Sequence, residues 1–362
     1  MIDFEKLIVH PSGWLDGTGP EANMILSSRL RLARNIKGHA FVHHAKPEAV
    51  SETYQQIMNT AAECPSLKRV FTADVGEMAP LDRRLLVERH LISPDFERAQ
   101  WKRGAVITED EKIAIMINEE DHLRLQSIVS GFQMEEGWEA LNKVDNELSA
   151  RLHFAFSEKY GYLTACPTNV GTGMRVSVLI HLPALVLTKA IDETLKGITQ
   201  IGLSVRGFYG EGTEVLGNLF QISNYATLGK TEHEVIETIR KVMLQLIGFE
   251  SRACETLLKE AKTQIEDKIW RAYGILNNAR LLTSNEFMSL SSALRLGISI
   301  GIINNIDLKS LNQLMILVQP AHIQKYLKHE MESSERDFFR ANVVREHLIK
   351  TRKKASPRRK DD

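Results

Sequence analysis

The chain has 362 residues, room for two domains or for one large domain with an appendage. It is 43% hydrophobic and 25% charged with a formal net charge of zero, a composition that fits a globular protein and points away from a nucleic-acid partner. No apolar run reaches spanning length, the N-terminus lacks the pattern of a signal peptide, and Cys64, Cys166 and Cys254 are odd in number without metal-ligand spacing, so no membrane association and a cytoplasmic location are expected.

The first residues are loop-rich, with Gly13, Gly17 and Gly19. From Arg29 to Leu32 arginine and leucine then alternate. On a strand this puts Arg29 and Arg31 on one face and the leucines on the other. A solvated basic face would look the same, but neighbouring guanidinium groups repel unless an anion sits between them. Residues 47–63 have helical periodicity and stop before Pro65; Leu67 to Asp74 reads as a strand, and Pro80 to His90 as a short helix. Residues 105–108 and 112–117 form a β-hairpin around Glu109-Asp110-Glu111. The hairpin delivers the chain to Asn118-Glu119-Glu120-Asp121-His122-Leu123-Arg124. Acids favour helix N-termini, so this cluster is expected to open a long helix running to about Leu152. Such a junction is also a usual place for a catalytic carboxylate.

The stretch Cys166-Pro167-Thr168-Asn169-Val170-Gly171-Thr172-Gly173-Met174-Arg175 combines a cysteine, a proline break, glycines and an arginine, and alternation follows to Leu182. A glycine-rich turn lets backbone N–H groups approach an anion, and Arg175 at the strand's start can grip a phosphate. Pro183 to Ile191 should start a helix, Ile198 to Arg206 a strand, and Arg206-Gly207-Phe208-Tyr209-Gly210-Glu211 a mobile loop of the kind that closes over substrates. Asn218 to Ser223 returns as a strand, and Thr231 to Ile247 as an amphipathic helix. From about Cys254 the spacing is helical only: 281–296, 308–318 and 323–349 all read as helices. The Lys/Arg tail from Lys350 reads as disordered. Gly229-Lys230-Thr231 has the look of a P-loop end, but Asn224 stands where its first glycine belongs, and GxGxxG, HExxH and CxxC are all missing. ATP, if handled, is handled without a Walker loop.

Four patches act together: Ser27 to Arg31, Asn118 to Arg124, Cys166 to Arg175, and Arg206 to Glu211. Together they resemble the ATP:guanidino phosphotransferases, the creatine and arginine kinase family, over roughly residues 20–250. The resemblance implies an α+β fold, a guanidino-kinase-like antiparallel β-sheet flanked by helices, here followed by a C-terminal all-helical domain. The chain is divided accordingly into residues 1–253 for phosphotransfer, a helical unit 254–349 read from the spacing above, to which the further likeness below gives phosphoarginine binding and dimerisation, and a basic tail 350–362. The resemblance implies five phosphate-clamping arginines at Arg29, Arg31, Arg124, Arg175 and Arg206, and an adenine-side histidine at His90. The wider nucleotide contacts fall on Ser27, Ser28 and Leu30, on Val176, Ser177, Val178 and Leu179, and on Gly207, Phe208, Tyr209 and Gly210. Catalytic roles fall on Glu120, Glu211 and Cys166. ATP is the implied nucleotide, with Mg²⁺ bound through its phosphates and no protein metal site.

The sequence departs from that family in two ways. Leu179 stands where a second adenine-side histidine is usual. The first arginine patch lies at residue 29, where phosphagen kinases carry a helical domain that encloses a small guanidino substrate. An open site suits an arginine side chain on a protein, so the arrangement is similar to the bacterial protein arginine kinases. That likeness extends to Arg336, Asp337 and Arg340, which match an allosteric phosphoarginine-binding motif. It implies protein substrates, a zinc-binding activator of the McsA type, a ClpC-type unfoldase that takes up tagged proteins under stress, and a homodimer. A kinase of free arginine, or an inactive phosphoarginine-reading adaptor, would share these residues.

Overall fold

The computed structural model describes residues 4–9, 12–207 and 216–355. A short helix, α1 (Phe4–Val9), precedes β1 (Ile25–Arg34). Helix α2 (Pro47–Glu63) leads to β2 (Val70–Asp74); α3 (Pro80–Glu88) and α4 (Pro94–Arg98) lead to the hairpin of β3 (Gly104–Thr108) and β4 (Ile113–Ile117). Strand β5 (Leu123–Ser130) and α5 (Met134–Ser149) follow, then a small hairpin of β6 (Phe156–Ser157) and β7 (Gly161–Tyr162), and β8 (Met174–His181). Helices α6 (Pro183–Leu187) and α7 (Ile191–Gln200) precede β9 (Leu203–Arg206) and β10 (Leu219–Asn224). The rest is helical: α8 (Glu232–Glu260), α9 (Lys262–Asn278), α10 (Ser284–Ser299), α11 (Leu308–Leu317), α12 (Pro320–Leu327) and α13 (Ser333–Ala355).

Eight strands form one sheet in the order β2-β3-β4-β5-β1-β8-β10-β9, and every paired neighbour is antiparallel. Alternation sorts its residues onto two faces. Leu30, Leu32, Leu125, Val176 and Val178 point to one face, where they pack with Leu141 and Val144 of α5 and Ile236 and Ile239 of α8 in the main core. The opposite face carries the arginines. A second core fills the space among α9 to α13 and reaches back to Trp14, Leu26, Ile128, Leu179 and Leu219 at one end of the sheet. A buried polar joint fastens the same helices. Glu88, ending α3, accepts the backbone N–H groups of Ala321 (2.8 Å) and His322 (3.0 Å), and pairs with His322 Nδ1 at 2.9 Å. Next to it, Arg89 is buried against Glu111, which also accepts from Ser12 Oγ at 2.7 Å.

The structure corrects several expectations. The acidic cluster opens no helix. Asn118 takes a left-handed conformation (φ 61°), and its N–H meets the carbonyl of His122 at 2.9 Å. The chain therefore turns tightly from β4 straight into β5, and the helix starts only at Met134. The segment from 183 breaks at Lys189 (φ 63°) into α6 and α7, and α7 uses residues expected in β9. Lys328 (φ 55°) likewise ends α12 and separates it from α13. Helix α8 is capped at its start by a reciprocal Thr231–Glu234 box and runs unbroken past residue 254. Helix α13 continues to Ala355, so the basic stretch begins as helix; residues 356–362 lie outside those described.

Candidate active site

Strand register gathers the arginines. Arg31 lies opposite Arg175 on β8 and opposite Gln126 on β5. Arg124 lies opposite Ala33, two residues along β1 from Arg31. Arg206 lies opposite Gln221, which in turn lies opposite Leu179. Directly opposed residues share a face, so Arg29, Arg31, Arg124, Arg175 and Arg206 all stand on the side not covered by α5 and α8. Arg31, Arg124, Arg175 and Arg206 line a cleft of about 590 Å³, together with Glu119, Glu120, Asp121 and Cys166.

Like charges at this density oppose one another. Burial, then Arg29, Arg124 and Arg175, depress the Arg31 guanidinium well below its usual pKa, and Arg31 Nε is buried with no hydrogen-bond partner among the described residues. Burial and Arg124 lower Arg29 to about 10. Arg124 is the exception. Burial alone would depress it, but its pairing with Glu119 (2.5 and 2.7 Å) raises it overall. Among the described residues, Arg29 and Arg31 are thus crowded by neighbouring arginines rather than matched by carboxylates, which is the environment an anion would relieve.

The turn 118–122 sets three carboxylates at the edge of this surface, each with a different partner. Glu119 belongs to Arg124 and Ser93, which hold its pKa down against burial. Asp121 accepts from Asn35 Nδ2 (2.6 Å) and from the backbone N–H of Ala165 (2.7 Å), so it tethers the loop that carries Cys166. Glu120 is half-exposed toward the cleft, and its pKa is raised by burial and by Asp121, with Arg124 and His43 pulling the other way. His122, by contrast, is structural: its ring accepts from the Ile36 N–H (3.0 Å) and reaches the Ala40 carbonyl (2.9 Å).

Cys166 Sγ lies 3.1 Å from Thr168 Oγ1. Its loop is pinned by Thr227, whose hydroxyl donates to the Val170 carbonyl at 2.7 Å. Gly173 has φ 65°, and a Cβ there would sit 2.7 Å from the Ala33 carbonyl, so the loop can lie against β1 only with glycine at this place.

Not every nucleotide-side residue expected from the sequence faces this surface. Ser28, Leu30, Val176 and Val178 alternate to the other side: Ser28 Oγ donates to the Gly131 carbonyl, and the other three sit in the main core. Ser27, Arg29, His90, Ser177 and Leu179 do come together, with Trp14 and Gln221, around a small recess beyond Arg29. His90 has φ 60°, stands edge-on to Trp14 with ring centroids 5.4 Å apart, and is lowered to about 3 by burial and by Arg29, so its ring is neutral. Leu179 belongs to the second core, which explains an apolar side chain where the resembled family has histidine. Gly207 is buried at the end of β9; Phe208, Tyr209, Gly210 and Glu211 lie outside the described residues. Arg336, Asp337 and Arg340 are remote from the cleft. Arg340 is 2% exposed and donates to the carbonyls of Val318 (2.9 Å) and Leu282 (2.8 Å) and to Asp337, so it is part of the helical framework. Arg336 is partly exposed and donates to the Met331 carbonyl.

Three groups escaped the sequence reading. Gln126 is fully buried; its Oε1 accepts from Arg29 Nε at 3.0 Å, and its Nε2 donates to the His90 carbonyl at 2.7 Å. Its position two residues after Arg124 would have revealed it, had β5 been read as a strand. Arg34, 1% exposed, grips Asp145 of α5, donates to the Thr172 carbonyl at 2.9 Å, and lies 3.5 Å from the Tyr162 ring centroid. It clamps the Cys166–Gly173 loop to the core. Trp101 and His43, edge-on at 5.1 Å, wall the cleft on the Glu120 side.

A model of the ATP:guanido phosphotransferase C-terminal catalytic domain matches residues 50–253, and one of the protein-arginine kinase McsB C-terminal domain matches residues 262–359. The protein-arginine kinase of Desulforamulus reducens is 46% identical over 340 residues, which are 93% of this chain and 95% of that protein. That of Bacillus subtilis is 43% identical over 339 residues, 93% of each. Among solved structures, the duplicated taurocyamine kinase of Schistosoma mansoni with bound transition-state analogue components superposes with TM-score 0.59 at 28% identity, over 65% of this chain and 34% of that one. Lombricine kinase gives 0.57 at 24% identity, over 66% and 68%, and shows likeness of fold.

Proposed function

Because the chain belongs to the protein-arginine kinases, a branch of the ATP:guanido phosphotransferases, we propose that it transfers the γ-phosphate of ATP to arginine side chains of proteins in the cleft between the arginine face and the 118–122 turn. The observation that carries this reading is the juxtaposition itself. An arginine surface on which Arg29 and Arg31 are pressed by their own kind, which suits a polyanion, adjoins a raised-pKa carboxylate and a cysteine, which suit a guanidinium.

Phosphoryl transfer needs alignment and charge neutralisation more than covalent chemistry. Arg29, Arg31, Arg124, Arg175 and Arg206 would hold the triphosphate and the charge spread over the transferring group. The described residues bring together no group of three or more His, Cys, Asp or Glu that could hold a metal ion. Mg²⁺ is therefore proposed to enter on the nucleotide phosphates, where it supplies further charge neutralisation. His90, Ser27, Ser177 and Leu179 would form the base side.

The acceptor is a guanidinium, protonated with a pKa above about 12, and must lose a proton as its nitrogen attacks. Glu120 is the proposed general base, and a raised pKa makes it a better proton acceptor than an ordinary carboxylate. Glu211 is the proposed second carboxylate holding the guanidinium. Cys166 is proposed to touch the guanidinium and tune its reactivity.

The remaining assignments are proposals from the same family. Residues 1–253 would form the phosphotransfer unit. Residues 254–349 would read phosphoarginine through Arg336 and Asp337, with Arg340 holding Asp337 in place, and would make a homodimer. A zinc-binding activator of the McsA type and a ClpC-type unfoldase would be the partners, in the cytoplasm, with tagging for degradation under stress as the outcome. No helix among the described residues is long and apolar enough to cross a membrane.

The test is a transfer assay. The protein is mixed with Mg-ATP and either an unfolded, arginine-rich protein or free arginine, and acid-labile phosphate is counted on each. Label on protein arginine supports the reading; label on free arginine alone overturns it in favour of a phosphagen-type kinase. Glu120→Gln should retain nucleotide binding and abolish transfer, and retained turnover would remove Glu120 from the role of base.

A further inference from the structure

A protein substrate brings more than one guanidinium. The chain on either side of the target arginine needs a surface, and none has been assigned so far. A second recess of about 610 Å³ adjoins the catalytic cleft, and Ala99 and Trp101 stand in the walls of both. The shared wall is firmly built. Trp101 Nε1 donates to the Asn118 carbonyl at 2.7 Å, which ties it to the turn that carries Glu120. Arg103, 3% exposed, donates to the carbonyls of Phe96, Glu97 and Trp101 and fixes the segment from behind.

The recess is polar, and its charges do not cancel. Lys102 pairs with Asp74, and Glu97 pairs with Arg84 at 3.3 Å. Of the remaining charged groups that line it, Arg103 is taken up by the three carbonyls already named, while Arg83, Arg98 and Glu77 make no ion pair among the described residues. Arg83 Nε is also buried without a hydrogen-bond partner among the described residues. A buried guanidinium N–H without an acceptor is unfavourable, so it favours an acceptor brought from outside. Two unpaired cations against one exposed carboxylate favour an anionic occupant.

We propose that this recess seats the substrate polypeptide beside the target arginine, with Arg83 and Arg98 receiving a carboxylate from a neighbouring Asp or Glu. The proposal rests on the protein-arginine reading above and gives that site a sequence preference. An extended chain advances about 3.3 Å per residue, so the carboxylate belongs within a few residues of the arginine. Arg83 and Arg98 are binding residues for the flank and touch no reacting atom.

The experiment compares two synthetic peptides that differ only in Glu or Gln beside one arginine, with N-acetylarginine amide as the lone-residue control, on the full chain with Mg-ATP. The parent should favour the Glu peptide about three- to tenfold in kcat/KM, chiefly through KM, and less so as salt rises. Arg83→Gln with Arg98→Gln should erase the preference, with KM for ATP and the rate on N-acetylarginine amide unchanged. Arg98→Glu, at an exposed position, should turn the preference toward a Lys flank, so the idea survives a poorly folding Arg83 variant. A parent without preference, or a double variant that keeps it, overturns the recess as the flank site while protein phosphorylation stands. Label on free arginine and on no peptide overturns the parent reading and this proposal together.

Discussion

Two sets of arginines are built into this protein, and they are handled in opposite ways. Arg34, Arg89 and Arg340 are each about 2% exposed or less, and each meets a carboxylate and backbone carbonyls. Arg29 and Arg31 face other arginines instead. Arg29 rests on the neutral amide of Gln126, and Arg31 has a buried Nε without a partner among the described residues. Pairing inside the chain marks an arginine that holds the fold together. A guanidinium crowded by its own kind marks one kept for an anion that arrives later. The cost of that crowding is carried by the rest of the sheet, whose opposite face is fully packed against α5 and α8.

The comparison is tested most severely at Arg34. Arg34→Met would leave Asp145 charged, buried and unpaired, and should destabilise the protein by about 3–5 kcal/mol. Adding Asp145→Leu should recover most of that in urea unfolding, because removing both charges also removes the desolvation penalty. Transfer should fall as well, since Arg34 holds the Thr172 carbonyl and with it the Cys166 loop.

Arg31 should behave in the reverse sense. Arg31→Met removes one of several mutually repelling charges, so urea unfolding should show equal or higher stability. Phosphoryl transfer should drop about 10²–10³-fold, or roughly 2.7–4 kcal/mol of transition-state stabilisation. A stability loss as large as that of Arg34→Met would erase the distinction between the two sets.

The sequence could separate neither set. Arg29 and Arg31 were legible because they alternate with leucines, and period two puts them on one face whatever the partner strands are. The partners were not legible. Asp145 is 111 residues from Arg34, and nothing local announces their contact. The same holds for Glu88 and His322, which join α3 to α12 across 234 residues. The acidic patch misled for a different reason. Acids before Leu123 and Leu125 satisfy a helix start and a strand equally, and the left-handed Asn118 decides for the strand. Reading a helix there hid Gln126, whose function depends on strand parity with Arg124. Leu179 was recognised as a departure, but its cause, a core shared with helices more than a hundred residues later in the chain, exists only in three dimensions.

Gln126 offers a smaller and more selective test. It links Arg29 to the His90 backbone, and its amide uses both ends. Gln126→Leu keeps the volume and removes both contacts. KM for ATP should rise about tenfold, near 1.4 kcal/mol, with kcat changed much less, because Arg29 and His90 lose their relative placement while Glu120 is untouched. Gln126→Glu gives Arg29 an ionic partner. It should raise stability while weakening ATP binding, moving Arg29 from the second set of arginines toward the first. Tighter ATP binding in Gln126→Glu would show that the neutrality of the amide has no part in keeping Arg29 available.

The finest distinction lies in the carboxylates. Glu119 is held by Arg124 and is lowered, whereas Glu120 is raised by burial and Asp121. If Glu120 is the base, activity requires its ionised form. The acid limb of kcat/KM, which reports the free enzyme, should then lie above the ordinary glutamate pKa of about 4.3, and activity should be lost as pH falls through it. His43 lies close enough to offset part of that rise. His43→Gln removes the offset and the edge contact to Trp101 but leaves the cleft's arginines, so the limb should move up while the plateau rate stays. A limb that moved down would mean that His43 acts on some other group. A limb at the ordinary value in the parent would assign the titration to a carboxylate outside this turn.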